Sequence, residues 1–294
     1  MNDTQASLWG LHTTITDMGV IRMLTLTEQD FQRLYTYIKT NYGIDLGKKK
    51  QLIISRLSHT LEAKGYQNFK AYVDEITTGR DPDMVTAMLN KLTTNYTYFL
   101  REEAHFKYFQ EVVLPDLAHK HQRDKVLSIW SAGCSSGQEP YTISMYLLEY
   151  FGAQASQWDT RILATDISQK ILDEAIRGVY PVESMEPLPD SWKRKYFVKA
   201  GPGKCTMSPA VKQNVIFRPF NLMDPIQFKR KFDLIFCRNV MIYFDQDTKD
   251  ALVQRFYNAT VPGGHLFIGH SEGLNKVTCP YEYIQPAIYK KTGK

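Results

Sequence analysis

Residues 126–139 read Val126-Leu-Ser-Ile-Trp130-Ser-Ala-Gly133-Cys-Ser-Ser-Gly137-Gln-Glu139. The run 126–130 is short and apolar with strand-forming residues, and Gly133 and Gly137 punctuate the residues after it. Pro140 can open a helix, because the N–H it lacks is one that the first helical turn leaves unpaired. Beyond it, Ile143, Leu147 and Tyr150 recur at helical spacing. Strand, glycine turn and helix in that order build a nucleotide-type site, with the ligand outside the carboxyl end of the strand.

The glycine spacing bears on the ligand. A dinucleotide fingerprint is G-x-G-x-x-G, packed around a pyrophosphate. Here Gly133-x-x-x-Gly137 is followed by Glu139, an anionic neighbour that suits a cationic ligand better than a pyrophosphate. S-adenosylmethionine fits, having an ammonium, a sulfonium and no phosphate. A plain tight turn has the same spacing, so the rest of the chain has to decide.

The chain has 294 residues, 43% hydrophobic and 23% charged, which is the composition of a globular protein with one large or two ordinary domains. No apolar run approaches the ~20 residues of a membrane span, and neither a span nor a signal peptide is expected. Cys134, Cys205, Cys237 and Cys279 are scattered without metal-ligand spacing, so free thiols in a reducing cytoplasm are expected. A net charge of +5 would help dock an acidic partner but is weak support for nucleic-acid binding.

Towards the N-terminus, residues 1–22 lack periodicity and read as a flexible tail. Residues 23–93 read as a small all-α domain. Thr27-Glu28-Gln29-Asp30 starts a helix that carries Phe31, Leu34, Tyr35 and Ile38 inward and stops at Gly43. A second helix is expected over 48–64, a third from Phe69 to Gly79, and a fourth opened by Asp81-Pro82. Lys48, Lys49, Lys50 and Arg56 lie at the start and on the outer side of the second helix, either as a solvated face or as a partner-binding one. Lysines at a helix N-terminus oppose the dipole, which makes partner binding more plausible here than on an average charged face. Residues 94–122 form a linker whose Asn95, Thr97 and Arg101 can face a ligand between domains, although a linker helix would account for the same pattern.

Towards the C-terminus the alternation is β-α-β through residues 123–294. The run 161–166 ends in Asp166, 29 residues past Gly137, where a carboxylate can accept from ribose hydroxyls or cap the next helix at 168–178. Residues 179–212, rich in Pro, Gly and Lys, form a small β-subdomain insertion. Strands are expected at 215–217, 232–236 and 265–269, the last entered by a turn at 261–264, with a helix at 248–259. Segments 281–284 and 287–290 close the sheet antiparallel. The fold class is α/β, a mostly parallel sheet with helices on both faces.

Five stretches of this chain resemble the bacterial chemotaxis receptor methyltransferases, the CheR family: Thr94-Asn-Tyr-Thr-Tyr-Phe-Leu-Arg101, Ser131-Ala-Gly-Cys-Ser-Ser-Gly-Gln-Glu-Pro-Tyr141, Ala164-Thr-Asp-Ile-Ser168, Phe236-Cys-Arg-Asn-Val-Met-Ile-Tyr-Phe244 and Gly269-His-Ser-Glu272. The resemblance spans roughly residues 22–290. It implies a helical domain followed by a Rossmann-like class I methyltransferase domain. It also implies transfer of a methyl group from S-adenosyl-L-methionine to receptor glutamates, giving γ-glutamyl methyl esters and S-adenosyl-L-homocysteine. Carried over by position, the cofactor contacts are Asn95, Thr97, Arg101, Glu139, Asp166, Asn221, Leu222, Arg238 and Asn239. Arg101 and Tyr243 match the positions near the transferred methyl. Lys48, Lys49, Lys50 and Arg56 match the face laid against the receptor's cytoplasmic helical bundle. The stretch Ala200-Gly-Pro-Gly-Lys-Cys205 is short against members that tether to a receptor's C-terminal peptide, so direct recognition of the methylation region is implied instead.

A glutamate is ionised at neutral pH and needs no general base, in keeping with the lack of any Ser-His-Asp, Cys-His or paired-carboxylate pattern. Arg101 or Arg238 could counter the acceptor's charge, and the Tyr243 hydroxyl could orient it. His105, His265 and His270 have no metal-like spacing and read as packing or capping residues; no metal is expected. Three rivals remain. A nicotinamide oxidoreductase is opposed by Glu139 and the missing third glycine. A nucleic-acid amine methyltransferase would carry Asn/Asp-Pro-Pro-Tyr/Phe where this chain has Arg238-Asn-Val-Met, so no nucleic acid is expected. A cofactor-binding adaptor without turnover is the third.

Overall fold

Strands that are apolar at every position must be covered on both faces. The computed structural model, which describes residues 24–293, has that arrangement. The expected tail, residues 1–22, lies outside the described residues.

Four helices come first: α1 (Glu28–Tyr42), α2 (Lys50–Ala63), α3 (Phe69–Ile76) and α4 (Pro82–Leu92). Thr27, Asn68 and Asp81 each accept a hydrogen bond from the backbone N–H three residues on, satisfying a donor that the helix itself leaves unpaired. α2 has no such cap and no acid in its first turn, so its lysines do stand against the dipole. Residues 94–102 carry no helix and no strand; α5 (Glu103–Tyr108), a π-helical turn (Phe109–Val113) and α6 (Leu114–Lys120) follow. The linker therefore becomes helical only after the segment that bears Asn95, Thr97 and Arg101.

The α/β domain runs β1 (Ile129–Ala132), α7 (Gln138–Phe151), β2 (Ile162–Asp166) and α8 (Gln169–Arg177). The insertion consists of β3 (Val179–Pro181), α9 (Asp190–Tyr196), β4 (Phe197–Lys199), β5 (Lys204–Met207) and α10 (Pro209–Lys212). Its strands make a separate antiparallel sheet in the order β3-β5-β4. The main domain resumes with β6 (Val215–Pro219), β7 (Phe232–Cys237), α11 (Gln246–Ala259), β8 (Thr260–Ile268), β9 (Glu282–Gln285) and β10 (Ile288–Lys290). The seven-stranded sheet has the order β6-β2-β1-β7-β8-β10-β9, parallel through β8 and antiparallel beyond. Chain order reverses beside β1, and ligands bind outside the strand ends at such a switch point.

Two of the boundaries that differ from the sequence reading have a visible cause. The first strand starts at Ile129 rather than at 126, because Val126 makes only an isolated bridge to Asp159 while Ile129 pairs with both Ile162 and Leu234. The turn expected at 261–264 lies inside β8, looped out where the register against β7 shifts between Phe232 and Leu234. Such a bulge lets turn residues sit within a strand.

The strands alternate between two cores. Trp130, Ala132, Ile235, Cys237, Leu266 and Ile268 share one with α11 and with the inner residues of α1–α4, among them Leu34, Ile38, Leu57 and Val85. Ile129, Leu234, Phe236 and Phe267 face the other, under α5–α8. The helical domain thus closes one face of the sheet. Polar ties reinforce it: Asp45 N–H donates to Tyr243 O (2.7 Å), Lys39 pairs with Asp245 (2.6 Å) and Asn90 donates to Ser168 Oγ (2.8 Å).

His265, on β8, is 2% exposed, and neither ring nitrogen has a protein partner. Burial, helped by the Lys290 charge, pushes its pKa down to about 4. An unfolded histidine titrates near 6.5, so below that pH the unfolded chain binds a proton that the native one refuses. Stability is therefore full above about pH 7 and falls as pH drops towards 4. Between pH 7 and 5 the loss is on the order of 1–2 kcal/mol. Urea denaturation at both values should show a fall larger by that amount in the wild type than in His265→Asn; equal falls would assign the pH dependence to other groups.

Candidate active site

A pocket of about 1020 Å³, mouth included, opens outside the carboxyl ends of β1, β2, β6 and β7. Its floor is the turn read first in the sequence. Gly133 has φ +80°, and a Cβ there would stand 2.4 Å from Val240 Cγ2, so only glycine fits. Gly133 and Cys134 donate their N–H groups to Thr165 O, both at 2.8 Å, stitching the turn to β2. Ser135 N–H and Ser168 N–H each reach one oxygen of Asp166 at 3.0 Å. Burial pushes the Asp166 carboxyl up, and these N–H groups pull it back. A carboxylate accepts about four hydrogen bonds, so both oxygens keep capacity for a ligand's hydroxyls. Ser168, not Asp166, caps α8, accepting from Ile171 N–H.

One wall is an ionic cluster. Arg238, whose side chain is 2% exposed, donates to Glu139 Oε2 (2.9 Å), to Glu102 Oε2 (3.1 Å) and to the Arg101 carbonyl, and lies over the Phe106 ring. Glu139 also accepts from Ser131 Oγ (2.7 Å). Burial alone would raise the Glu102 carboxyl, but the Arg238 charge and the His270 N–H outweigh it and hold it below the usual range. The sequence offered Arg238 as a counter-charge for the acceptor. The structure commits that charge to two carboxylates, which leave one negative charge in surplus on this wall.

The next wall is held by Glu272, which accepts from the backbone N–H groups of Asn239 (3.0 Å) and Ile242 (3.1 Å) and from Gly269 N–H. A Cβ at Gly269 would meet Asn239 Nδ2 at 2.5 Å. Asn239, at φ +58°, gives its amide N–H₂ to Glu102, while its Oδ1 is buried without a protein partner.

Residues 93–98 and Arg101 form the outer rim. Asn95 O accepts from Ser135 Oγ (2.9 Å), and its side chain donates to Asn90 Oδ1 (3.1 Å). Thr97 is half-buried at the rim. The half-buried Arg101 donates to Tyr96 O (2.7 Å) and makes no ion pair among the described residues. The Tyr243 hydroxyl accepts from Thr94 N–H (2.8 Å) and donates to Thr94 O (3.1 Å). Its single proton is engaged, so in this geometry it clasps the rim rather than pointing a donor at an acceptor. Asn221 donates to Asn41 O at the end of α1 (2.8 Å), and Leu222 O accepts from Arg255 (2.7 Å).

All nine expected cofactor residues and Tyr243 therefore line one pocket. Lys48, Lys49, Lys50 and Arg56 do not. Lys48 and Arg56 are exposed, and Lys49 and Lys50 half-buried. Lys50 pairs with Glu28 (2.9 Å), and Arg56 donates to Lys91 O and Thr93 O. The sequence reading gave no role to Glu102 or Glu272. Glu102 directly succeeds the motif at 94–101 and Glu272 ends the motif at 269–272, and those positions were the available signal.

The pocket suits S-adenosylmethionine: an open carboxylate at Asp166, an orphaned acceptor at Asn239 Oδ1 and a surplus negative charge face into a cradle that glycine keeps open. Fold and site together define a methyltransferase of the doubly wound α/β class. The family models agree: "CheR methyltransferase, all-alpha domain" matches residues 29–93 and "CheR methyltransferase, SAM binding domain" matches residues 95–289. A chemotaxis protein methyltransferase of Borreliella burgdorferi is 42% identical over 274 residues, 91% of this chain and 96% of that protein. Chemotaxis protein methyltransferase 1 of Pseudomonas aeruginosa is 36% identical, over 89% of this chain and 96% of its own length. The chain belongs to the CheR methyltransferase family, and its α/β domain is the S-adenosylmethionine-binding domain of a chemotaxis methyltransferase.

Proposed function

We propose that the protein methylates glutamate side chains on the cytoplasmic helical bundle of chemotaxis receptors, forming glutamate 5-O-methyl esters. The observation that carries this reading is the chemistry of the pocket lining: among the described residues it contains no histidine and no lysine, and its carboxylates are tied to Arg238 or to backbone N–H groups. Such a site has no group placed to deprotonate an amine or an alcohol. It suits an acceptor that arrives ionised, as a glutamate with a pKa near 4.3 does.

S-adenosylmethionine, when bound, supplies a methyl group on a positively charged sulfur. Asp166, Asn239 and the Gly133 turn would hold it, and Glu139 with Glu102 would favour its cationic portion. Arg101, on the rim, pairs with no carboxylate among the described residues, and we assign it the incoming one. A half-exposed guanidinium pairs loosely, which limits stabilisation of the charged ground state relative to a transition state in which that charge is disappearing. Tyr243 is a positioning residue that fixes Thr94 and hence the rim. Tyr243→Phe should lower kcat and weaken S-adenosylhomocysteine binding together, each several-fold, as the loss of about 1 kcal/mol of hydrogen bonding implies. A fall in kcat with unaltered affinity would return the hydroxyl to the role of acceptor orienter.

Lys48 and Lys49 are free of ion pairs among the described residues and are the better candidates for the receptor face; Lys50 and Arg56 would have to exchange partners first. The β4–β5 hairpin turns tightly, with Ala200 N–H on Lys204 O (3.0 Å), which supports recognition of the methylation region over tethering to a tail peptide. Among the described residues no helix is long and apolar enough to cross a membrane, in keeping with action at the cytoplasmic end of a receptor. The deciding experiment incubates the protein with tritiated S-adenosylmethionine and receptor-bearing membranes. Label on receptor that mild base releases as volatile methanol is expected. Base-stable label would indicate an amine acceptor, and cofactor binding without label would favour an adaptor.

A further inference from the structure

Behind the Arg238 cluster, the structure brings together side chains that the sequence keeps far apart. Glu102, in the left-handed region just before α5, and His105, in the first turn of α5, are three residues apart, and the bend at Glu102 brings its carboxylate beside the imidazole. His270 follows β8 and comes to 4.6 Å from His105, ring centre to ring centre. Their nearest ligating atoms all lie within 4.8 Å of one another. His105 is 1% exposed, yet neither of its ring nitrogens has a hydrogen-bond partner in the protein. A buried polar group without a partner is costly, and packing alone does not offset that.

His105 Nδ1 stands 3.4 Å from Glu102 Oε2 without hydrogen-bond geometry. That separation matches the edge of a tetrahedron of nitrogen and oxygen ligands about 2.0–2.1 Å from a zinc-like ion. His270 is exposed, so its ring is free to turn towards the other two, and it gives an ion a route from solvent. The surplus negative charge left by Glu102 and Glu139 around Arg238 offsets the repulsion between that guanidinium and a dication.

The geometry points to a binding site for a borderline divalent cation of the zinc type, held by His105, Glu102 and His270 with a fourth position open to water. The two imidazoles and single carboxylate select this class over calcium or magnesium, which take oxygen ligands. Bound there, the ion would share Glu102 with Arg238 and so act on the pocket wall from outside the cofactor's space.

The test titrates Co²⁺, as a spectroscopic stand-in for Zn²⁺, into the chelator-treated full chain. Expected are one equivalent bound, the visible absorption of a low-coordinate Co²⁺ site, and loss of that absorption on adding Zn²⁺. His270→Ala, at an exposed position that leaves the fold intact, should weaken Co²⁺ binding at least tenfold. His105→Gln should abolish the absorption, with circular dichroism confirming that the variant is folded. No absorption in the wild type, or an absorption that His270→Ala leaves unaltered, would overturn the assignment.

Discussion

Replacing Arg238 with methionine is expected to destabilise the fold by about 3–5 kcal/mol, the usual consequence of leaving a buried ion pair half-empty. The substitution keeps the volume and the contact with Phe106 while removing the charge that separates Glu102 from Glu139. Both carboxylates are mostly buried, at 14% and 12% side-chain exposure, so neither can turn to water for compensation. A loss of this size should lower the melting temperature by roughly 10 °C in a chain of this length. The diagnostic variant is the double mutant Arg238→Met with Glu139→Gln, which relieves one unpaired charge. Calorimetry should show it more stable than Arg238→Met alone. If the two melt together, the cluster is not held by charge.

The second large effect belongs to Asp166. Asp166→Asn keeps one oxygen to accept from a backbone N–H but puts an NH₂ donor where the other N–H now points. Both the turn at Ser135 and any ligand hydroxyl lose a charged acceptor, and hydrogen bonds to charged groups contribute about 1.5–3 kcal/mol each. S-adenosylhomocysteine affinity should fall about 10- to 100-fold by titration calorimetry. Unchanged affinity would remove Asp166 from ribose recognition and leave it as a brace for the glycine turn.

These two residues mark how far the sequence could be read. Asp166 stood out, because an apolar run ending in a carboxylate has few meanings, although one of its two N–H partners, Ser135, lies 31 residues back in the glycine turn. The helix starts at Thr27 and Asp81 were equally plain, since a capping side chain and the donor it satisfies are three residues apart. Arg238 was visible as a site residue but its role was not. Its partners, Glu102 and Glu139, are about a hundred residues or more away, and no local pattern says that a charge is already taken. The same holds for Tyr243, whose hydroxyl is engaged by a backbone 149 positions distant, and for His105 and His270, which only the β8 connection brings together. The expected start of β1 at 126 misses for a related reason. Val126 has the composition of a strand residue, but where a strand begins depends on neighbours that the run itself cannot reveal.

The shared core under the sheet limits how such a protein can be taken apart or recombined. Leu34, Ile38, Leu57 and Val85 are buried against Trp130 and Ile235 in one continuous cluster. Severing the chain after α4 would therefore strip apolar cover from the sheet face that carries β1 and β7. A helical domain borrowed from another relative could change which surface is recognised only if its inner residues interlocked with this sheet. Sequence variation is accordingly freest on the outward side of α2, and inheritance of the two domains as a unit is what the packing favours.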